Sequence, residues 1–203
     1  MATTPKRRSS AIRPSGEQTK TALLDAASGL FAKRGLSGVS IAEIAEAAGC
    51  YPSQVTYYFG DKEQLLVEVA CRDILASREK VEEAGRKAQS SDEAVHGMVD
   101  AVLSSNAVLT FVQAMMLANS RADLRPMVKE TFDVLFTRAE HAATIAMRDH
   151  DWVGNVAPAI QGRTFWTTII GIGLERAATG DEFDLTEAEQ SVSAALGFTD
   201  DLD

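Results

Sequence analysis

The stretch "IAEIAEAAGCYPSQVTYYFGDK", residues 41–62, decides how the rest of the chain is read. Ile41, Ile44 and Ala45 recur at helical spacing, Gly49 interrupts them, and Pro52 stands where a first helical turn accepts it. The segment predicts two short helices, roughly 41–48 and 52–59, across a glycine turn: the pattern of a helix-turn-helix. Ser40 precedes the first as an N-cap, and Glu43 completes a capping box three residues on. Val55 and Phe59, four apart, anchor the second helix. Ser53, Gln54, Thr56, Tyr57 and Tyr58 are left outward, and they carry hydrogen-bonding groups rather than the lysines and glutamates of an idle solvated face.

That chemistry suits a DNA duplex. Gln54 can pair with adenine in the major groove, Thr56 can offer a methyl to thymine, and tyrosine hydroxyls can donate to phosphates. Lys62 opens the next helix, so its ammonium and that helix's first N–H groups are placed to hold a phosphate, as Ser40 is at the start of helix two. Charge agrees. The whole chain carries -9, but residues 1–62 hold eight basic against five acidic side chains, and the remaining 141 residues carry -12. Such asymmetry fits one end meeting a polyanion while the rest stays away from it.

Outward from the segment, the first 16 residues, "MATTPKRRSSAIRPSG", are polar, basic and without apolar periodicity, and read as a disordered arm whose Lys6, Arg7, Arg8 and Arg13 are available to DNA. A helix over 19–34 follows, ending at Gly35. After Gly60 and Asp61 a long helix begins at Lys62 and runs to about residue 88, with further helices near 92–105, 107–121, 125–149, 157–179 and 186–197, the last capped by Thr186 with Glu189 behind it. No stretch alternates like a strand. The expectation is an all-α chain: a basic arm at 1–16, a three-helix helix-turn-helix unit at 17–62 and a helical bundle at 63–203.

Three segments, "LLDAASGLFAKRG" (23–35), "SIAEIAEAAG" (40–49) and "YYFGDKEQLL" (57–66), resemble the DNA-binding domain of the TetR family of one-component transcriptional regulators. The resemblance implies recognition by residues 51–58, phosphate contacts by Ser40, Tyr57 and Lys62, and a C-terminal bundle that dimerises and holds an inducer. Tyr51 stands where the family has Ser or Thr as helix cap, and Thr56 where it has an aromatic. Both departures bear on base preference. The DNA-binding candidates are therefore Ser40, Tyr51, Ser53, Gln54, Thr56, Tyr57, Tyr58 and Lys62, and the partner is a palindromic double-stranded operator bound by a homodimer, with repression as the expected outcome.

A two-fold operator needs a two-fold protein. Gly162, Gly171 and Gly173 within one helix cost about 1 kcal/mol apiece relative to Ala, and close approach of another helix would justify them. Gly162, Phe165, Ile169, Gly173, Val192 and Leu196 are accordingly expected at the dimer interface. Large adaptable side chains with isolated polar groups suggest a pocket for a lipophilic or aromatic inducer, formed by His96, Phe111, Met115, Met116, Asn119, Phe132, Phe136 and Trp166. The three histidines have no metal-ligand spacing, and neither Ser nor Cys sits in a nucleophile elbow, so no metal, cofactor or enzymatic activity is expected. Cys50 and Cys71 fit small buried side chains. No apolar run approaches the roughly 20 residues of a membrane span, and the expected location is the cytoplasm. The competing reading is a protein that organises DNA, answering to a protein partner or to no small molecule.

Overall fold

The structure, a computed structural model, describes residues 15–150 and 156–197. These residues form α1 (Gly16–Arg34), α2 (Ile41–Ala47), α3 (Pro52–Phe59), α4 (Lys62–Lys87), α5 (Ser91–Leu103), α6 (Ala107–Ser120), α7 (Arg125–His150), α8 (Pro158–Thr179) and α9 (Leu185–Leu196), with short 3-10 turns at Ala122–Leu124 and Gly180–Glu182. No strand occurs among the described residues. The chain is all-α, as its periodicities require. No single helix among those residues is long and apolar enough to cross a membrane.

Most helix starts are set by local capping. Ser40 Oγ accepts from the Glu43 N–H at 3.2 Å, and Glu43 Oε2 takes the Ser40 N–H at 2.8 Å and its hydroxyl at 2.7 Å. Ser90 caps α5 and Asp61 caps α4 in the same sense. Two expectations shift. The arm expected over 1–16 lies outside the described residues up to 14, and its last two residues instead open α1, where Ser15 and Gln18 form a second capping box. The cap of α9 is Asp184, whose carboxylate accepts from the Thr186 and Glu187 N–H groups, so Thr186 already lies inside the helix. Glu189 turns instead to His96 on α5.

A small cluster holds α1–α3 together: Leu23, Ala27, Phe31, Ile44, Ala45, Val55 and Phe59 are all buried. Gly49, at φ 65°, makes the turn between α2 and α3, and the Cys50 N–H closes it onto Ala45 O at 2.8 Å. This unit rests on α4 through apolar contact and three polar ties: Arg72 to Asp25 at 2.7 Å, Lys20 to Glu68 at 3.1 Å, and the Ser28 hydroxyl donating to Asp73 at 2.5 Å. Since α4 runs unbroken for 26 residues, its N-terminal turns belong to the head and its C-terminal turns to the bundle, where α4 packs on α5, α6 and α7, α7 lies along α8, and α9 packs on α8 and α5.

All six positions expected at the dimer interface are interior. Gly162, Phe165, Ile169, Gly173, Val192 and Leu196 are buried within the single chain. Two of the glycines are explained there. A Cβ at Gly162 would stand 2.7 Å from Ala139 Cβ and 2.8 Å from the α7 backbone, and one at Gly173 would collide with Val108. The apolar face of α8 faces its own α6 and α7, so these six residues are not free to meet a second copy.

Candidate functional site

The face that α3 presents to solvent is made by Tyr51, Ser53, Thr56 and Tyr57, with Tyr51 77% and Tyr57 82% exposed. Val55 and Phe59, fully buried on the opposite side, fix its orientation. The remaining candidates are more committed than the sequence suggests. Tyr58 is half-buried: its ring meets Tyr57 edge-on at 5.0 Å, and it packs on the core, so it backs Tyr57 rather than facing outward beside it. Gln54 is also half-buried, its Oε1 accepting the Tyr51 N–H at 3.1 Å, the reciprocal half of a capping box, while the Tyr51 side chain makes no cap bond of its own. Its NH₂ keeps its donors; its oxygen is partly engaged.

Lys62 departs furthest from expectation. Its ammonium donates to Leu36 O and Val39 O, both at 2.8 Å, and so ties the loop between α1 and α2 to the start of α4. The N-terminus of α4 is occupied as well, because Asp61 Oδ1 accepts the Gln64 N–H at 2.7 Å while Oδ2 takes Arg121 at 2.8 Å. A carboxylate at that helix start disfavours a second anion. Ser40 is similarly bound into its capping box. The hydrogen bonds of the Ser40 hydroxyl, then those of its backbone and of Arg34, hold the Glu43 carboxyl down at about 2.

In the bundle, a cavity of about 590 Å³ opens between α4, α5, α7, α8 and α9. None of the eight residues expected to line it does so. Trp166 and Phe111 are buried; Phe132 meets Phe111 edge-on at 5.2 Å and stacks on Phe136 at 5.3 Å, with the Arg163 guanidinium 4.2 Å over Phe136. Met115 packs on the same core, whereas Met116 and Asn119 are exposed, and His96 Nδ1 lies 2.7 Å from Glu189 at the surface. Large side chains fill their own space. The cavity lies instead where α7 is lined with alanine, at Ala139, Ala142, Ala143 and Ala146, opposite Met98, Phe165 and the C-terminal turns of α4. Three of the displaced dimer candidates, Gly162, Phe165 and Leu196, are on its wall. The missed signals are that alanine run and the Arg78/Glu82 pair four residues apart, whose side chains reach the same wall.

No group of His, Cys, Asp and Glu suited to a metal ion occurs among the described residues. Burial pushes the Cys71 thiol up, as suits an unreactive core position.

Residues 23–69 match the family described as bacterial regulatory proteins of the tetR family, and residues 91–193 match the bacterial transcriptional repressor C-terminal family. No curated protein matches the chain. Among solved structures, a Rhodococcus sp. RHA1 protein assigned as a transcriptional regulator is 31% identical, with a TM-score of 0.78 over 87% of this chain and 94% of that one. The regulator FadR from Bacillus subtilis, solved with stearoyl-CoA, shares the fold at 18% identity and a TM-score of 0.63, covering 87% of this chain and 97% of its own. So does a Saccharomonospora viridis protein assigned as a regulator and solved with choline, at 15% identity and a TM-score of 0.67, covering 88% and 95%. The reading head, the bundle and these matches agree: this chain belongs to the TetR family of bacterial transcriptional regulators, DNA-binding proteins rather than enzymes.

Proposed function

We propose that this regulator is a cytoplasmic repressor that binds a palindromic operator as a homodimer and is released by a small lipophilic or aromatic inducer held in the bundle. Residues 17–62 serve as reading head and 63–203 as the ligand-binding and dimerising part. One observation carries the reading: α3 bares Tyr51 and Tyr57 beside Ser53 and Thr56, although the same short helix buries Val55 and Phe59 completely. Two aromatics held outward with hydroxyls between them suit phosphates and base edges better than water. Tyr51, Ser53, Thr56 and Tyr57 make direct contacts, Gln54 adds its amide donors, and Ser40, Tyr58 and Lys62 hold the surface in shape.

Gly171 supports the dimer. It lies exposed in mid-helix with no atom within 4 Å of where a Cβ would stand, so packing within the subunit gives no return for its helix-propensity cost of about 1 kcal/mol. Ile160, Thr167 and Leu174 are exposed on α8 at compatible spacing. This outer face is where a second copy seats. Gly171→Glu is expected to yield monomers by sedimentation.

Selection of bound duplexes from a random pool at near-physiological salt tests the whole reading. An inverted repeat is expected. A folded protein that selects no motif would favour the DNA-organising alternative. The sensor half is tested by a thermal-shift screen, in which a compound that raises stability must also free the operator. Ligands in fold relatives, stearoyl-CoA and choline, support a small-molecule site in such bundles without naming this one.

A further inference from the structure

The bundle cavity has an apolar side and a charged end. Ala94, Met98, Ala142, Ala146 and Phe165 furnish the first; Arg78, Glu82 and Arg138 furnish the second. Arg78 is the deepest charge, its side chain 13% exposed against 25% for Glu82 and 50% for Arg138. Nη1 donates to Glu82 at 2.8 Å and Nη2 to Glu79 at 3.1 Å, but Nε has no acceptor. Among the described residues it is the one buried side-chain nitrogen or oxygen found without a partner. A buried donor left unmade is costly, and its presence on a cavity wall points to an acceptor that arrives from outside the chain.

The sign of that acceptor follows from the charges around it. Glu82 serves both guanidinium groups, with Arg138 Nη2 at 2.9 Å on its other oxygen. Burial pushes the Glu82 carboxyl up, yet hydrogen bonds from Arg138 and Arg78 outweigh it and keep the group below the ordinary glutamate range, hence ionised. Glu79 is 72% exposed and compensates Arg78 weakly. Arg86 and Glu83, the remaining charged pair on the wall, are more exposed and neutralise each other, so at the inner cluster two cations share one well-placed anion. A cationic ligand would have to draw Glu82 away and strand Arg78 in the wall, whereas an anionic one completes the set.

We infer that the cavity takes a molecule with an apolar body ending in a carboxylate, the carboxylate lying against Arg78 and Arg138 and the body along the alanine face of α7. The volume, about 590 Å³, falls within the range of small-molecule sites. This rests on the sensor reading above and narrows it. It also names the contact through which binding acts. Glu82–Arg138 ties α4 to α7, and a carboxylate that shares Arg138 with Glu82 weakens this tie at the end of the helix whose other end carries the reading head.

The test compares dodecanoate, dodecanol and dodecylamine on the full-length protein, by thermal shift and isothermal titration below their aggregation limits. Dodecanoate is expected to bind at least about tenfold more tightly than the alcohol, with the amine weakest. Arg138→Gln, a surface change, is expected to cut dodecanoate affinity about tenfold with a much smaller effect on dodecanol, and Arg78→Gln to do the same if it folds. Equal binding of the alcohol, preference for the amine, or indifference of dodecanoate to Arg138→Gln would overturn the assignment. If none of the three binds while another compound stabilises the protein and frees the operator, the carboxylate class is wrong and the sensor reading survives; if no compound does either, both fall.

Discussion

Glu43 shows how much of the reading head depends on single side chains. Its carboxylate receives the Ser40 hydroxyl, the Ser40 N–H and Arg34 Nη2 at 2.7 to 2.9 Å, which holds it at about 2 against an ordinary value of 4.5. With the folded value depressed, the unfolded chain takes up its proton first as pH falls. The stabilisation is therefore complete above 4.5 and is lost as pH falls from there toward 2. Thermal melts followed by circular dichroism from neutrality down to about pH 3 are expected to lose stability less steeply in Glu43→Gln than in the parent chain. Lys62 and Tyr57 separate shape from contact. Lys62→Ala gives up two charged hydrogen bonds to Leu36 O and Val39 O and is expected to cost about 1–3 kcal/mol of stability. It should leave the slope of log affinity against log salt unchanged, whereas loss of a direct phosphate contact would reduce that slope by about 1. Tyr57→Ala, at a position 82% exposed, should weaken binding to all duplexes and leave the melting temperature in place.

At the level of helices, Gly162 and Gly171 of α8 give opposite answers to one substitution. Gly162→Ala drives a methyl into Ala139 and the α7 backbone, and the expected loss is about 1–3 kcal/mol, reduced by the helix propensity gained. Gly171→Ala meets nothing within the subunit and should stabilise α8 by up to about 1 kcal/mol while weakening self-association. Denaturant titration beside sedimentation at matched concentration separates the two; a Gly171→Ala chain with unchanged association would remove the dimer argument. The same helix marks the limit of what the sequence discloses. Helix positions and most starts are local matters of period and cap, so Ser40 with Glu43, Pro52 and Gly49 were legible in order. The faces were not, because an apolar stripe such as Phe165, Ile169 and Gly173 reads alike whether its neighbour is its own α6 and α7 or a second copy's helix. The cavity was missed for a related reason. Phe111, Phe132 and Phe136 attract attention as large adaptable groups, but large groups pack against one another, and space remains beside Ala139, Ala142 and Ala146. Lys62 likewise reads as a phosphate ligand until the fold places the Leu36 and Val39 carbonyls beside it.

Across the whole molecule, cavity and reading head are joined by α4, which bears Arg78 and Glu82 near one end and starts beside the head at Asp61. That start is itself restrained. Arg121, at the end of α6, donates to Asp61 at 2.8 Å and to Asp123 at 2.6 Å, and these bonds raise its already high pKa. Arg125 in turn caps α6 by donating to Ala118 O and Asn119 O. The C-terminal end of α6 is thus fixed, and through Arg121 it holds the N-terminal end of α4. With its start pinned there, α4 pivots about this tie when a ligand displaces its far end and carries the head with it, and coupling of this sort is worth about 1–3 kcal/mol in typical regulators. Arg121→Ala removes the tie without touching the cavity or α3. Operator affinity of the free protein should fall several-fold, since the heads are no longer held at one spacing, and the further drop caused by dodecanoate should shrink toward none, while dodecanoate affinity in the absence of DNA stays the same. Fluorescence anisotropy with a labelled operator, with and without the fatty acid, reads all three quantities. If the two operator affinities and their ratio match those of the parent chain, the tie at Asp61 is structural only, and displacement of α4 reaches the head through its contacts with α1 and α3 alone.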